Sequence, residues 1–163
     1  MNIVLHEPGI ALNTGNIGRT CVASVTSLHL IRPYGFRINE KEIARAGMDY
    51  WHRIDLHEYI DYEDFLEKNP DARIWYATTK AKQTYCDVKY SENDFLMFGN
   101  ESRGIPEEIL VRHPEQCIRI PMAEGERSLN LANSAAIVLY EALRQLDFRG
   151  LETKGELHRL SWS

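Results

Sequence analysis

Five short apolar runs, separated by turns and by segments of helical periodicity, set the strongest limit on how this chain can fold. They are Ile3-Val4-Leu5, Leu28-His29-Leu30-Ile31, Ile74-Trp75-Tyr76-Ala77, Phe95-Leu96-Met97-Phe98 and Cys117-Ile118-Arg119-Ile120. Each is too short to be a helix, and nearly continuous apolar character marks strands covered on both faces. Between them the pattern predicts a helix over 14–24, with Thr14 as N-cap. A second is predicted from the capping-box-like Asn39-Glu40-Lys41-Glu42 to Gly47, and a third over 61–69, capped by Asp61 and stopped by Pro70. The clearest helix runs over 129–146. There Leu131, Ala135, Val138, Leu139, Ala142, Leu143 and Leu146 form one wide apolar stripe. Strands alternating with helices predict an α/β fold, a mainly parallel sheet with helices on both faces.

At 163 residues the chain fits one domain, 1–163, with a weakly patterned and partly flexible tail after Gly150. A domain of this size buries roughly two-thirds of its unfolded surface, enough to fold without a disulfide or metal staple. Three widely spaced cysteines (Cys21, Cys86, Cys117) and six histidines without ligand spacing predict neither a disulfide framework nor a metal site. They fit a reducing, cytoplasmic setting. No apolar run is long enough to span a bilayer, and the start of the chain reads as a strand rather than a secretory signal. The formal net charge of −5 weighs mildly against nucleic-acid binding, which depends on a local basic face rather than the total. Candidate basic clusters are Arg32/Arg37/Lys41/Arg45, Lys80/Lys82 and Arg144/Arg149/Lys154/Arg159. Each reads first as a plain solvated face unless the fold brings them together.

Three stretches at strand ends carry candidate chemistry, since ligands of open α/β sheets bind beyond the carboxyl ends of the strands. In Asn13-Thr14-Gly15-Asn16-Ile17-Gly18-Arg19, amides at a helix start favour an anion, and Arg19 is placed to reach the same ligand. A turn, a cap and a surface arginine would read the same way. In Phe98-Gly99-Asn100-Glu101-Ser102-Arg103-Gly104-Ile105-Pro106, a strand ending in glycine admits a ligand or another backbone. Glu101 and Arg103 there are either functional charges or a local ion pair. In Ile118-Arg119-Ile120-Pro121-Met122 and Arg127 to Ser134, four polar residues (Ser128, Asn130, Asn133, Ser134) crowd a helix start that needs one cap, and the surplus suggests ligand contacts. No G-x-G-x-x-G follows the first strand and no Walker A sequence is present.

These three stretches resemble, in order and spacing, the motifs of the SPOUT class of RNA methyltransferases, and most closely its small members that methylate the tRNA wobble ribose. The resemblance covers nearly the whole chain, including Leu28 to Pro33 and Ala46 to Tyr50. It implies a deep trefoil knot at the C-terminal side, S-adenosylmethionine as cofactor, a tRNA substrate, and a homodimer whose active sites each borrow the first motif's arginine from the partner. Carried over by position, the cofactor site comprises Ala77, Thr78, Gly99, Glu101, Ile120, Met122 and Ser128. The catalytic region comprises Asn13, Arg19, Glu101, Ser128 and Asn130. The appended RNA-binding domain of larger members has no counterpart here, so the resemblance implies that the dimer surface alone grips tRNA.

The resemblance makes Arg19 the base for a ribose 2′-hydroxyl. Arginine rarely releases its proton, which leaves two readings: a nearby phosphate helps it shuttle the proton, or it stays charged and stabilises the developing alkoxide. Methylation at another tRNA or ribosomal RNA site, a non-catalytic RNA-binding module and a small-molecule α/β enzyme are the competing readings. Tyr50, Trp51 and Trp162 could stack on bases, although core or dimer interface is the preferred reading of Tyr50 and Trp51. His6 could approach a substrate or serve as a buried structural histidine.

Overall fold

The structure, a computed structural model, describes residues 1–36 and 50–162. It contains a six-stranded sheet of β1 (Asn2–His6), β2 (Ser27–Ile31), β3 (Leu56–Tyr59), β4 (Ile74–Ala77), β5 (Phe95–Phe98) and β6 (Cys117–Ile118). The strand order is β3-β2-β1-β5-β4-β6 and every pairing is parallel. The helices are α1 (Ala11–Ala23), α2 (Tyr62–Lys68), the single turn α3 (Glu107–Leu110) and α4 (Leu131–Gln145). The helix expected over 39–47 lies outside the described residues.

Alternation along each strand splits the apolar residues between two faces. Ile3, Leu5, Leu28, Leu30, Leu96 and Phe98 pack against Ile17 and Cys21 of α1 and Ala135, Val138, Leu139 and Ala142 of α4. Val4, Ile31, Ile74, Tyr76 and Met97 face the other way, onto Phe65 of α2 and Leu110 of α3. The apolar stripe read from the last helix is therefore its buried face, and helices cover both sides of the sheet as expected.

Three expectations need correction. The sheet has a sixth strand, β3, at one edge. Its sequence Leu-His-Glu-Tyr lacks an apolar run because two of its four residues are exposed. The fifth expected strand leaves the ladder after Ile118, and Arg119 makes only an isolated bridge to Thr84. Helix α1 begins three residues early, at Ala11. Thr14 is buried inside it, and Ile10 caps it without a side-chain hydrogen bond. By contrast, Asp61 caps α2 as expected, accepting from the Asp64 amide at 2.8 Å. The tail after Gly150 contains no helix or strand among its described residues. No described helix is long and apolar enough to cross a membrane, and no described group of three or more His, Cys, Asp or Glu could hold a metal ion. All three cysteines are free.

His29 is the most perturbed base in the sheet. Its Nδ1 meets the Tyr59 hydroxyl at 2.8 Å, its Nε2 meets Asn2 Oδ1 at 3.2 Å, and its ring stacks on His57 at 4.6 Å. Asn2 Oδ1 can only accept, so Nε2–H donates and Nδ1 accepts from the tyrosine: the neutral ring is fully satisfied. Burial first, then the neighbouring His57, hold the His29 pKa down to about 4, and Asp55 opposes them weakly. A base whose folded pKa lies below its ordinary value stabilises the fold above that ordinary value, and the stability is lost as pH falls toward the folded one. The loss is about 1.4 kcal/mol per pH unit across this window. Unfolding in urea at pH 7 and pH 5 should therefore differ by about 2 kcal/mol through this group. His29→Gln should shrink the difference by that amount; an unchanged difference would place the acid sensitivity elsewhere.

Candidate active site

Strand order reverses between β1 and β5, which makes their carboxyl ends the crevice of the sheet. The turn after β1 runs through Glu7 to Ile10 into α1, and the loop after β5 runs from Gly99 to Ile105. Glu101 joins the two. Its carboxylate accepts from the Gly9 amide at 2.8 Å, the Ile10 amide at 3.2 Å and Asn13 Nδ2 at 3.0 Å. An anion beside the free amides of a helix start is favoured by both hydrogen bonding and the helix dipole. The anion anticipated at this helix start is thus supplied by the chain itself, from the second motif. Partial burial pushes the Glu101 carboxyl upward. The bonds from Asn13, Gly9 and Ile10 together outweigh it and hold the carboxyl below its ordinary value.

Asn13 carries the link onward. Its Oδ1 accepts from Asn130 Nδ2 at 3.0 Å, and Asn130 Oδ1 caps α4 by accepting from the Ala132 and Asn133 amides at 2.9 and 3.2 Å. One continuous polar chain therefore ties the start of α1, the loop after β5 and the start of α4. Each of the three motifs contributes one member: Asn13, Glu101 and Asn130. The polar surplus at α4 is partly local, since the Ser134 hydroxyl donates back to the Asn130 carbonyl at 3.1 Å. Ser128 and Asn133 are exposed.

The loop after β5 is held by its own backbone. The Gly104 amide donates to the Asn100 carbonyl at 2.8 Å, and Asn100 Oδ1 accepts from the Ser102 and Arg103 amides. A Cβ on Gly99 would lie 2.1 Å from the Gly104 carbonyl carbon and 2.2 Å from the Ile105 nitrogen. The close approach expected at this glycine is therefore that of another backbone segment. Gly104 takes φ +71°, a conformation that glycine adopts freely. Arg103 pairs with Glu7 at 2.9 Å, not with Glu101 as a local ion pair would require. Asn100 Nδ2 adds a bond to the Glu7 carbonyl at 2.8 Å.

The remaining cofactor candidates share one edge. Ala77 is in register with Phe98 on β5 and Ile118 on β6, so Thr78, Gly99 and the segment from Arg119 follow directly at the same end of the sheet. The Thr78 amide donates to the Ile118 carbonyl at 2.9 Å. Ala77, Thr78, Ile120 and Met122 are half-buried, whereas Tyr76 and Ile118 just before them are almost fully enclosed. This leaves an apolar shelf at the strand ends, bordered by the exposed segment 123–130.

Arg19 does not join this group. A helix turns about 100° and rises about 1.5 Å per residue. Arg19 therefore lies about 120° round α1 from Asn13 and about 9 Å further along it. Its guanidinium instead sits over the Tyr50 ring at 4.9 Å. Tyr50 is buried, and its hydroxyl donates to the Gly15 carbonyl at 2.7 Å, so it serves the core rather than presenting a free stacking face. His6 is buried too, its ring edge against Tyr62 at 6.0 Å, and burial lowers its pKa. Sequence reasoning missed the Gly9 and Ile10 amides, which no side chain advertises. It also missed the tight turn Trp51–Arg53 docked beside α1.

Residues 1–140 match the model of the SpoU rRNA methylase family. The tRNA (cytidine(34)-2′-O)-methyltransferase of Escherichia coli strain K12 is 46% identical over 92% of this chain and 96% of its own length. A solved structure described as giving structural insights into the 2-OH methylation of C/U34 on tRNA superposes with TM-score 0.84 at 42% identity, covering 91% of this chain and 97% of that one. An AdoMet-bound rRNA methyltransferase from Sinorhizobium meliloti superposes with TM-score 0.78 at 28% identity, over 89% of this chain and 56% of that one.

Proposed function

The chain belongs to the SpoU rRNA methylase family, and on that premise we propose that it methylates the ribose 2′-hydroxyl of the tRNA wobble nucleotide, cytidine or uridine at position 34, with S-adenosylmethionine as donor. The observation that carries this reading is the polar chain Glu101–Asn13–Asn130. It draws three separated motifs to the crevice where an α/β sheet binds its ligand.

The shelf of Ala77, Ile120 and Met122 fits the adenine of the cofactor, with Ile120 against the ring. Backbone groups of Thr78 and Gly99, with Ser128 at the open edge, complete the grip. When bound, S-adenosylmethionine supplies an already activated methyl group, so the protein has mainly to align the hydroxyl and relieve it of its proton. Alignment of this kind is worth several kcal/mol. Glu101 is poorly suited to be the base, because three donors occupy its carboxylate. It and Asn13 hold the helix starts in place, and Asn130 fixes the edge of the pocket. Arg19 stays charged and stabilises the negative charge that grows on the 2′-oxygen, while the proton passes to a phosphate or to water.

Arg19 lies away from the other site residues of its own chain, which supports an active site shared across a homodimer, with Arg19 of the partner subunit completing it. Ile10 and Leu12 at the start of α1, and Ile137 and Tyr140 on α4, are exposed apolar side chains suited to that interface. We assign the deep trefoil knot to the C-terminal half, where 83–85 run along Arg119 through two backbone hydrogen bonds. The protein acts in the cytoplasm, where tRNA is found.

The test is methyl transfer from labelled S-adenosylmethionine to total tRNA from cells lacking this protein, followed by mapping of the labelled nucleotide. Label on the wobble ribose is the expected result. Label elsewhere in tRNA would keep the chemistry and overturn the position. No label, with cofactor binding intact, would overturn the tRNA reading and direct the assay to ribosomal RNA.

A further inference from the structure

Several surface cations are already engaged. Arg32 pairs with Glu58, Lys80 with Glu107, Arg103 with Glu7, Arg144 with Glu141 and Arg149 with Glu92. The basic clusters read from the sequence are therefore partly neutralised where they are described, at Arg32, Lys80, Arg144 and Arg149. Arg19 and Arg53 are distinguished by sharing one site, and among the described residues neither forms a salt bridge with a carboxylate. Both line one cleft, together with Val22, Ala23 and Tyr50. Among the described residues no acidic side chain lines that cleft, and both guanidinium groups are exposed.

The cleft is built rather than accidental. Tyr50 donates to the Gly15 carbonyl of α1 and carries the Arg19 guanidinium on its ring face at 4.9 Å. The turn it begins closes through the Arg53 amide, which donates to the Tyr50 carbonyl at 2.9 Å. One buried tyrosine thus fixes the platform for both arginines. Ordering a long side chain in advance removes part of the entropy that binding would otherwise cost. Planar guanidinium groups suit phosphate oxygens geometrically, and Val22 and Ala23 offer an apolar floor that a sugar face could cover.

We propose that Arg53 is a substrate-binding residue that holds a backbone phosphate of the RNA strand in the same cleft from which Arg19 acts. The inference rests on the tRNA reading above. It gives a chain with net charge −5 a local pair of guanidinium groups with which to grip a polyanion, without an overall basic surface. Arg53 also places the strand so that Arg19 meets the ribose beside that phosphate.

The experiment uses the full chain and purified substrate tRNA. For Arg53→Ala, KM for tRNA is expected to rise about tenfold, the equivalent of one charged hydrogen bond. The kcat should fall far less, and the affinity for S-adenosylmethionine should stay as in the wild type. The slope of log affinity against log salt should shrink by about 1, the mark of one lost phosphate contact, and Arg53→Lys should restore the slope. An unchanged salt slope with active wild-type enzyme would overturn the assignment of Arg53 while leaving the proposed function standing. A wild-type protein that transfers no methyl to tRNA would overturn both. Dissociation of Arg53→Ala into monomers would overturn the proposal too, by assigning Arg53 to the subunit interface.

Discussion

Arg19→Ala is expected to lower the rate of methyl transfer to tRNA by about a hundred- to a thousandfold, the usual cost of removing one preorganised donor from a developing oxyanion. Cofactor affinity should barely move, because Arg19 lies about 120° round α1 from Asn13 and so away from the shelf that would hold the cofactor. Single-turnover rates with saturating tRNA, paired with calorimetric titration of S-adenosylmethionine, separate the two quantities. A large loss of cofactor binding would refute the role given to Arg19. The same variant tests the shared site. Mixed with Met122→Trp, whose bulk fills the proposed pocket, it should recover activity: one hybrid site then joins an intact pocket to an intact arginine. No recovery in proven heterodimers would place Arg19 in the site of its own chain.

The second large effect is on stability. Gly99→Ala sets a methyl group 2.1 to 2.5 Å from three backbone atoms of Gly104 and Ile105. A flexible side chain could swing aside, but these atoms belong to a turn already closed by the Gly104–Asn100 hydrogen bond. Relief requires opening that turn, which moves Glu101 off the Gly9 and Ile10 amides and frees the start of α1. A cost of about 3 kcal/mol, at the upper end for overpacking, would lower the melting temperature by about 6–12 °C. Cofactor binding should be lost with it. Gly104→Ala meets no neighbouring atom, and its penalty of about 1 kcal/mol comes only from the positive φ. If Gly99→Ala melts like the wild type and binds cofactor equally well, the loop is far softer than its contacts imply.

The parts of the fold legible in the sequence are those where one local pattern decides the outcome. Ile3 to Leu5, Ile74 to Tyr76 and Leu96 to Phe98 are buried on both faces and read as apolar runs. Asp61 sits where a cap residue should. The stripe from Leu131 to Leu143 has one periodicity and one face to bury. The misreadings share a cause: the deciding partner lies far away in the chain. Thr14 resembles an N-cap, but α1 starts earlier because Glu101 satisfies the amides ahead of it. Edge strand β3 has exposed His57 and Glu58, so pairing with β2 defines it rather than composition. The site was legible as three motifs, and Asn13, Glu101 and Asn130 do converge. That Arg19 would stand apart on Tyr50 was not legible, because it depends on where the turn at Trp51 docks.

The hydrogen bonds that assemble the site join residues 88 and 117 positions apart. No segment of the chain holds even a rudimentary version of it. During synthesis, Asn13 and Glu101 can meet well before the protein is finished, but the last link waits for Asn130 and for α4 to leave the ribosome and find its face of the sheet. A chain that stops short of Asn130 therefore lacks one of the three members that the polar chain joins.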